Sequence, residues 1–181
     1  CLPPDVLALL AELNGVKPVF VELGLQTAHD GTAVLLRRGY PFSVYQEAAA
    51  KLQALGIPVI THLILGLPGE TRAQMLETMR AVGVCCRDNP GSGVKIQLLQ
   101  VLRDTDLARL YEEGAYSPLS RAAYTELVCD CVEALPPELI LHRLTGDPPR
   151  ALLLAPAWAA DKKRNLQAVR DALQARGILL S

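Results

Sequence analysis

The chain has 181 residues, 50% of them hydrophobic and 20% charged, with a formal net charge of −1. That length supports one domain with a substantial core or part of a larger one, and the mixed signs exclude non-specific attraction to nucleic acid or anionic lipid as an organising property. No apolar run approaches the ~20 residues of a membrane span, so no membrane partner is expected.

The five cysteines, Cys1, Cys85, Cys86, Cys129 and Cys131, match neither a secreted disulfide framework nor paired C-x-x-C zinc ligands. A reducing cytoplasm suits them, with Cys129 and Cys131 as small buried hydrophobes. Cys1 stands where an initiator methionine would, and a helix begins almost at once. The expectation is a piece of a longer polypeptide.

In chain order, Pro3 and Pro4 open a helix that Gly15 should close. Val19 to Thr27 reads as a strand in which Glu22 and Gln26 share one face, with Gly24 leaving open space between them. Asp30 to Arg38 is a short segment. Ser43 and Gln46 suggest a capping box for the next helix, which Gly56 ends.

The β-branched run from Val59 then reaches the Gly66-Leu67-Pro68-Gly69-Glu70 turn, and Thr71 with Gln74 caps the helix that follows. Such a loop, with helix N–H groups pointing into it, can receive polar or anionic groups of a ligand, or can simply change chain direction. Val94 to Val101 is the next strand, Thr105 caps a short helix, and Ser120 to Leu135 is amphipathic up to Pro136. Leu139 to Leu144 is a strand ending in His142 and Arg143. The run Leu152 to Ala155 leads through Trp158 to a charged helix from Asp161.

This alternation implies an α/β fold with a parallel sheet, either open or the later part of a barrel, and places binding groups at the strands' carboxyl ends. Gln26, Thr27, the loop from Gly66 to Glu70, Gln100, His142 and Arg143 collect there. On the residues alone, Gln26 suits a ligand or a satisfied strand end, Arg38 a ligand or a solvated charge, and His62 a contact or a core histidine. Glu70 suits a ligand contact or a helix N-terminal acid.

The ordered series VELGLQT, LLRRGY, HLILGLPGET, KIQLLQVLRDTDL, HRLTGD and LLLAPAW followed by DKK resembles the second half of a radical S-adenosylmethionine (radical SAM) protein of the YhcC/YtqA type. The resemblance implies the later part of an incomplete, TIM-like β/α barrel over residues 1–144 and a helical C-terminal extension over 145–181. It also implies S-adenosylmethionine and a [4Fe-4S] cluster as cofactors, an electron-donor protein as partner, and RNA among the substrate classes to consider.

Matched motif by motif, Gln26 and His62 would meet the ribose hydroxyls and Arg38 the methionine carboxylate. Gly66, Gly69 and Glu70 would line the cofactor, and the backbone near Leu98 and Leu99 would meet the adenine. The relatives carry histidine at the places of Gln97 and Gln100, so a titrating or metal-ligating role is in doubt at these positions. The cluster motif C-x-x-x-C-x-x-C does not occur here, and the isolated chain is expected to be inactive.

Two other readings stand beside this one. The first is a non-catalytic α/β nucleotide-binding or interaction domain. The second is a barrel lyase using Lys95 as a Schiff-base amine, although Lys95 reads better as a surface lysine. Residues 145–181 read as a packing lid anchored by Trp158 or as a partner-contacting segment.

Overall fold

The computed structural model describes residues 2–178. Helix α1 (Pro4–Val16) leads to β1 (Val21–Gln26), α2 (Asp30–Leu35), α3 (Phe42–Ala54), β2 (Val59–Leu65), α4 (Arg72–Cys86) and β3 (Gly93–Leu98). Then come β4 (Val101–Leu102), α5 (Asp106–Glu112), α6 (Arg121–Ala134), β5 (Ile140–Arg143), β6 (Leu153–Ala155), a 3₁₀ turn (Ala157–Ala160) and α7 (Lys162–Ala175).

The main sheet is four-stranded and parallel in the order β1-β2-β3-β5, and β4 pairs antiparallel with β6. Its two faces differ. Leu25, Val59, Leu63, Leu65, Val94, Ile96 and Leu98 pack with Tyr45 and Leu52 of α3, Met79 and Val82 of α4, and Tyr124, Val128 and Cys131 of α6 in one core. Thr61 on this face is satisfied by the Tyr45 hydroxyl at 2.6 Å. The opposite face carries Glu22, Gly24, His62, Lys95 and Gln97, all half-buried or exposed.

Local signals set several boundaries. Thr71 and Gln74 form the expected capping box of α4, and Thr105 and Ser120 accept from the first-turn amides of α5 and α6. Ser43 does not cap α3. The Phe42 N–H is taken instead by Asp30 Oδ1 at 2.7 Å, so the helix begins one residue before Ser43. Helix α1 runs through Gly15 to Val16, and Val6, Leu9, Leu13 and Val16 are exposed along it.

The strand expected over Val94 to Val101 is two. The Leu99 amide donates to Leu65 O at 2.9 Å, after which the chain leaves the main sheet and pairs with β6. Val101, Ala108, Tyr116 and Ala155 make a second small core there. The segment from residue 145 onward is therefore stitched to the sheet. Trp158 Nε1 donates to Leu119 O at 3.1 Å and the indole lies 5.7 Å from the Tyr124 ring. Arg176 of the last turn binds Glu126, Asp130 and Glu133 of α6.

Candidate functional site

The carboxyl end of β1 departs from strand geometry. Its pairing with β2 slips between Gly24 and Gln26, and Gln26 takes φ +63°. A left-handed backbone costs a residue with a Cβ about 1–2 kcal/mol. The turn folds the Gln26 side chain back, so that its Nε2 lies 2.8 Å from where a Gly24 Cβ would sit. The space expected beside Gly24 is thus filled by the amide of Gln26 itself.

Register brings the polar residues together. Gly24 pairs with His62, and His62 with Lys95, so these positions form one row across the sheet. Glu22 bonds to two of its neighbours there. Its Oε2 accepts from His62 Nε2 at 2.5 Å and its Oε1 from Lys95 Nζ at 2.5 Å. The bond from Lys95, then that from His62, hold the Glu22 carboxyl below its ordinary pKa against the opposing effect of burial. Lys95 is not a solvated surface lysine: its side chain is 19% exposed and ion-paired. The parity of β3 turns it onto the same face as His62.

Past Gln26, the chain is locked to the start of α4. Thr27 is fully buried, donates its hydroxyl proton to Glu70 Oε1 at 2.5 Å and accepts from the His29 amide. His29 Nε2 donates to Gln74 O at 2.8 Å. Glu70 therefore reaches back from the Gly-Pro loop to the end of β1.

Arg38 is inside this corner, with its side chain 2% exposed. Its Nε donates to Tyr40 O at 2.9 Å, Nη1 to Leu25 O at 2.7 Å and to Thr27 O, and Nη2 to Asp30 Oδ1 at 3.3 Å. Burial lowers its pKa, and the Tyr40 ring lies 4.8 Å below the guanidinium. Every guanidinium nitrogen is engaged, leaving only the Nη2 edge for a further acceptor.

The two loop glycines differ. Gly66 has φ +83°, its carbonyl accepts from the Tyr116 hydroxyl at 2.8 Å, and a Cβ there would meet the Leu119 side chain at 3.2 Å. Burial pushes the Tyr116 phenol up to about 12. Gly69, at φ +78°, has nothing within 4 Å of its Cβ position and is open. Leu98 belongs to the main core, and Leu99 packs against the second one. Any contact from these two is through the backbone, where the Leu99 amide is already bonded to Leu65 O.

Gln100 Nε2 lies 2.8 Å from the Cβ position of Gly146, and Gln97 Cβ is 3.9 Å from it, so the Gln100 amide and the base of the Gln97 side chain adjoin Gly146 after β5. His142 does not join them. Its imidazole packs over Gly93 at the opposite end of β3, because β5 enters the register at Ile140 opposite Gly93. The Glu22–His62–Lys95 set and the Thr27–Glu70 bond were the features that sequence reasoning missed. Only the even spacing of Glu22, Gly24 and Gln26 hinted at the first.

A parallel β/α sheet with a polar face that leads to a Gly-Pro loop defines the class, and comparison with known proteins gives the family. The Radical SAM superfamily model matches residues 1–82 and the Radical SAM C-terminal domain model matches residues 92–175. The chain belongs to the radical SAM superfamily, in the branch of YtqA and YhcC. It is 45% identical to YtqA of Bacillus subtilis, over 98% of this chain and 54% of that protein. To YhcC of Escherichia coli it is 36% identical, over 90% of this chain and 52% of that one. The tRNA uridine(34) acetyltransferase of Dehalococcoides mccartyi is 32% identical over 75% of this chain and 29% of its own length.

An Elp3 structure from Methanocaldococcus infernus superposes with a TM-score of 0.76 at 18% identity, covering 98% of this chain and 40% of that chain, which establishes the fold. The chain spans about half the length of YtqA and YhcC.

The family implies S-adenosylmethionine and a [4Fe-4S] cluster, and the residues fit the two unequally. Among the described residues no His, Cys, Asp or Glu cluster is arranged to hold a metal. Cys85, Cys86, Cys129 and Cys131 lie on α4 and α6, behind the sheet, with their thiol pKa values raised by burial. They do not fit a cluster. The Gln26 amide and the His62 imidazole on the polar face do fit a nucleoside's hydroxyls and polar edges.

Proposed function

We propose that this chain supplies the S-adenosylmethionine-binding strands of a radical SAM enzyme whose cluster ligands, a C-x-x-x-C-x-x-C loop, lie outside these residues. The whole enzyme would cleave S-adenosylmethionine reductively to a 5′-deoxyadenosyl radical. The residues here bind and orient. Gln26 and His62 meet the ribose hydroxyls, the Nη2 edge of Arg38 meets the methionine carboxylate, and the backbone near Leu98 and Leu99 meets the adenine. Gly66, Gly69 and Glu70 form the loop wall, which Thr27 braces through Glu70.

The observation that carries this reading is the shared face: sheet register sets His62 opposite Gly24, over which the Gln26 amide folds. An electron-donor protein is part of the reading, and the acetyltransferase relative makes RNA the first substrate class to test.

The experiment combines this chain with the upstream half of Bacillus subtilis YtqA, reconstitutes iron and sulfide anaerobically, and quantifies 5′-deoxyadenosine. The combined protein should form it under a reductant, and this chain alone should not. S-adenosylmethionine binding to this chain by calorimetry is measured in parallel. If neither binding nor 5′-deoxyadenosine is detected, the chain is a non-catalytic interaction domain.

A further inference from the structure

The polar face holds one charged group that is a satisfied network rather than a set of free side chains. Glu22, His62 and Lys95 come from three adjacent strands, and their side chains are 38%, 27% and 19% exposed. Exposed ion pairs contribute little to stability, and partly burying three ionisable groups has a desolvation cost. Their geometry has a more specific consequence. An ionised carboxylate accepts only, so the proton of the bond between Glu22 and His62 sits on His62 Nε2. In the neutral imidazole the lone pair is then on Nδ1, which has no hydrogen-bond partner among the described residues. A carboxylate that orients an imidazole by binding one nitrogen fixes the role of the other.

Lys95 completes the arrangement. It holds the second oxygen of Glu22, at 2.5 Å, and so keeps the carboxylate from turning away from His62. Gly24, the partner of His62 on β1, has no side chain, and only the Gln26 amide overlies it. On β1 only the Gln26 amide follows this row toward the strand end, and on β2 and β3 the paired Ile64 and Gln97 come next on the same face.

We infer that Glu22 and Lys95 are positioning residues for His62: together they keep its Nε2 protonated and present Nδ1 as an acceptor to a hydroxyl of the bound nucleoside. This inference rests on the reading of His62 as a ribose contact. It assigns roles to two residues that neither touch the ligand nor belong to the Gly-Pro loop.

The test uses this chain with ¹⁵N-labelled histidine, observed by long-range ¹H–¹⁵N NMR at about pH 8.5, where an ordinary imidazole is neutral. The ligand is S-adenosylhomocysteine, which carries the same ribose and needs no cluster. Wild type should show His62 as a single Nε2–H tautomer, and ligand should shift its Nδ1 signal. Glu22→Ala and Lys95→Met should give a mixture of tautomers and weaken binding roughly tenfold, the lower end for loss of an orienting partner. Lys95→Arg should restore both. Where Glu22→Ala does not fold, Glu22→Gln keeps the volume and removes the charge that Lys95 holds.

An unchanged tautomer in the Glu22 and Lys95 variants overturns the positioning role. Altered tautomers with unchanged affinity also overturn it, while leaving the cofactor reading intact. A wild-type tautomer as expected, with no binding of S-adenosylhomocysteine, overturns the ligand assignment of His62, while the cofactor reading itself is decided by 5′-deoxyadenosine formation in the combined protein.

Discussion

The Thr27 hydroxyl donates a 2.5 Å hydrogen bond to the Glu70 carboxylate across 43 residues of sequence, joining the end of β1 to the loop that follows β2. Both partners border the proposed cofactor wall, so the bond sets where the loop stands relative to the strand ends. Thr27→Val preserves shape and removes the donor. A hydrogen bond to a charged group contributes roughly 1.5–3 kcal/mol, so urea unfolding should show a loss in that range. Amide exchange at Gly69 and Glu70 should quicken with it. An unchanged exchange rate there would show that the loop is held by other contacts.

Arg38 is the second anchor of the same corner. Its removal strips donors from the carbonyls of Leu25, Thr27 and Tyr40 at a buried position. Arg38→Met should destabilise by several kcal/mol, since each buried acceptor left without its donor costs roughly 1–3 kcal/mol. Arg38→Lys should recover little of this, since a compact ammonium lacks the planar fork that spans several carbonyls. The urea midpoints of the two variants decide the point.

The acid limb of stability should report Glu22. Its carboxyl is held below the ordinary pKa by Lys95 and then His62. A depressed folded-state pKa means that the contribution is present above the unfolded-state value and is lost as pH falls through the folded one. With screening at this exposure the contribution is about 0.5–1 kcal/mol. Glu22→Gln should therefore be less stable than wild type by that amount at about pH 7, with the gap closing as pH falls through the lowered folded-state pKa of Glu22. A gap that widens on acidification contradicts the sign.

Gly66 and Gly69 both have positive φ, yet they should differ on substitution. Gly69→Ala meets no atom within 4 Å and suffers backbone strain alone, about 1–2 kcal/mol. Gly66→Ala adds a contact at 3.2 Å with Leu119 under the Tyr116 roof, and should cost roughly 1 kcal/mol more. Thermal unfolding of the pair measures the difference.

Features decided within a few residues were legible in the sequence. Thr71 with Gln74 and Thr105 cap their helices as their spacing indicates, and the order of motifs identified the superfamily. Features decided from a distance were not. Ser43 has the right spacing, but Asp30 already satisfies the amide that starts α3. The apolar run through Val101 looks continuous, but β6 draws off its last residues. Gln26 has the strand-like parity expected of it, and a slip in pairing still turns its side chain over Gly24. The bonds from Lys95 and His62 to Glu22 depend on register, which no single strand encodes.

Glu22 and Lys95 lie 73 residues apart, with β2 between their strands. Their ion pair cannot exist in any intermediate that has formed only one of the two strand pairings, since a slip of one residue in either turns a partner to the opposite face. Because contacts this distant in sequence bear a large loop-closure cost before they contribute anything, a sheet built from them assembles slowly. The charged row on the polar face thus serves as a marker of completed folding: it appears only when β1, β2 and β3 stand in native register at once.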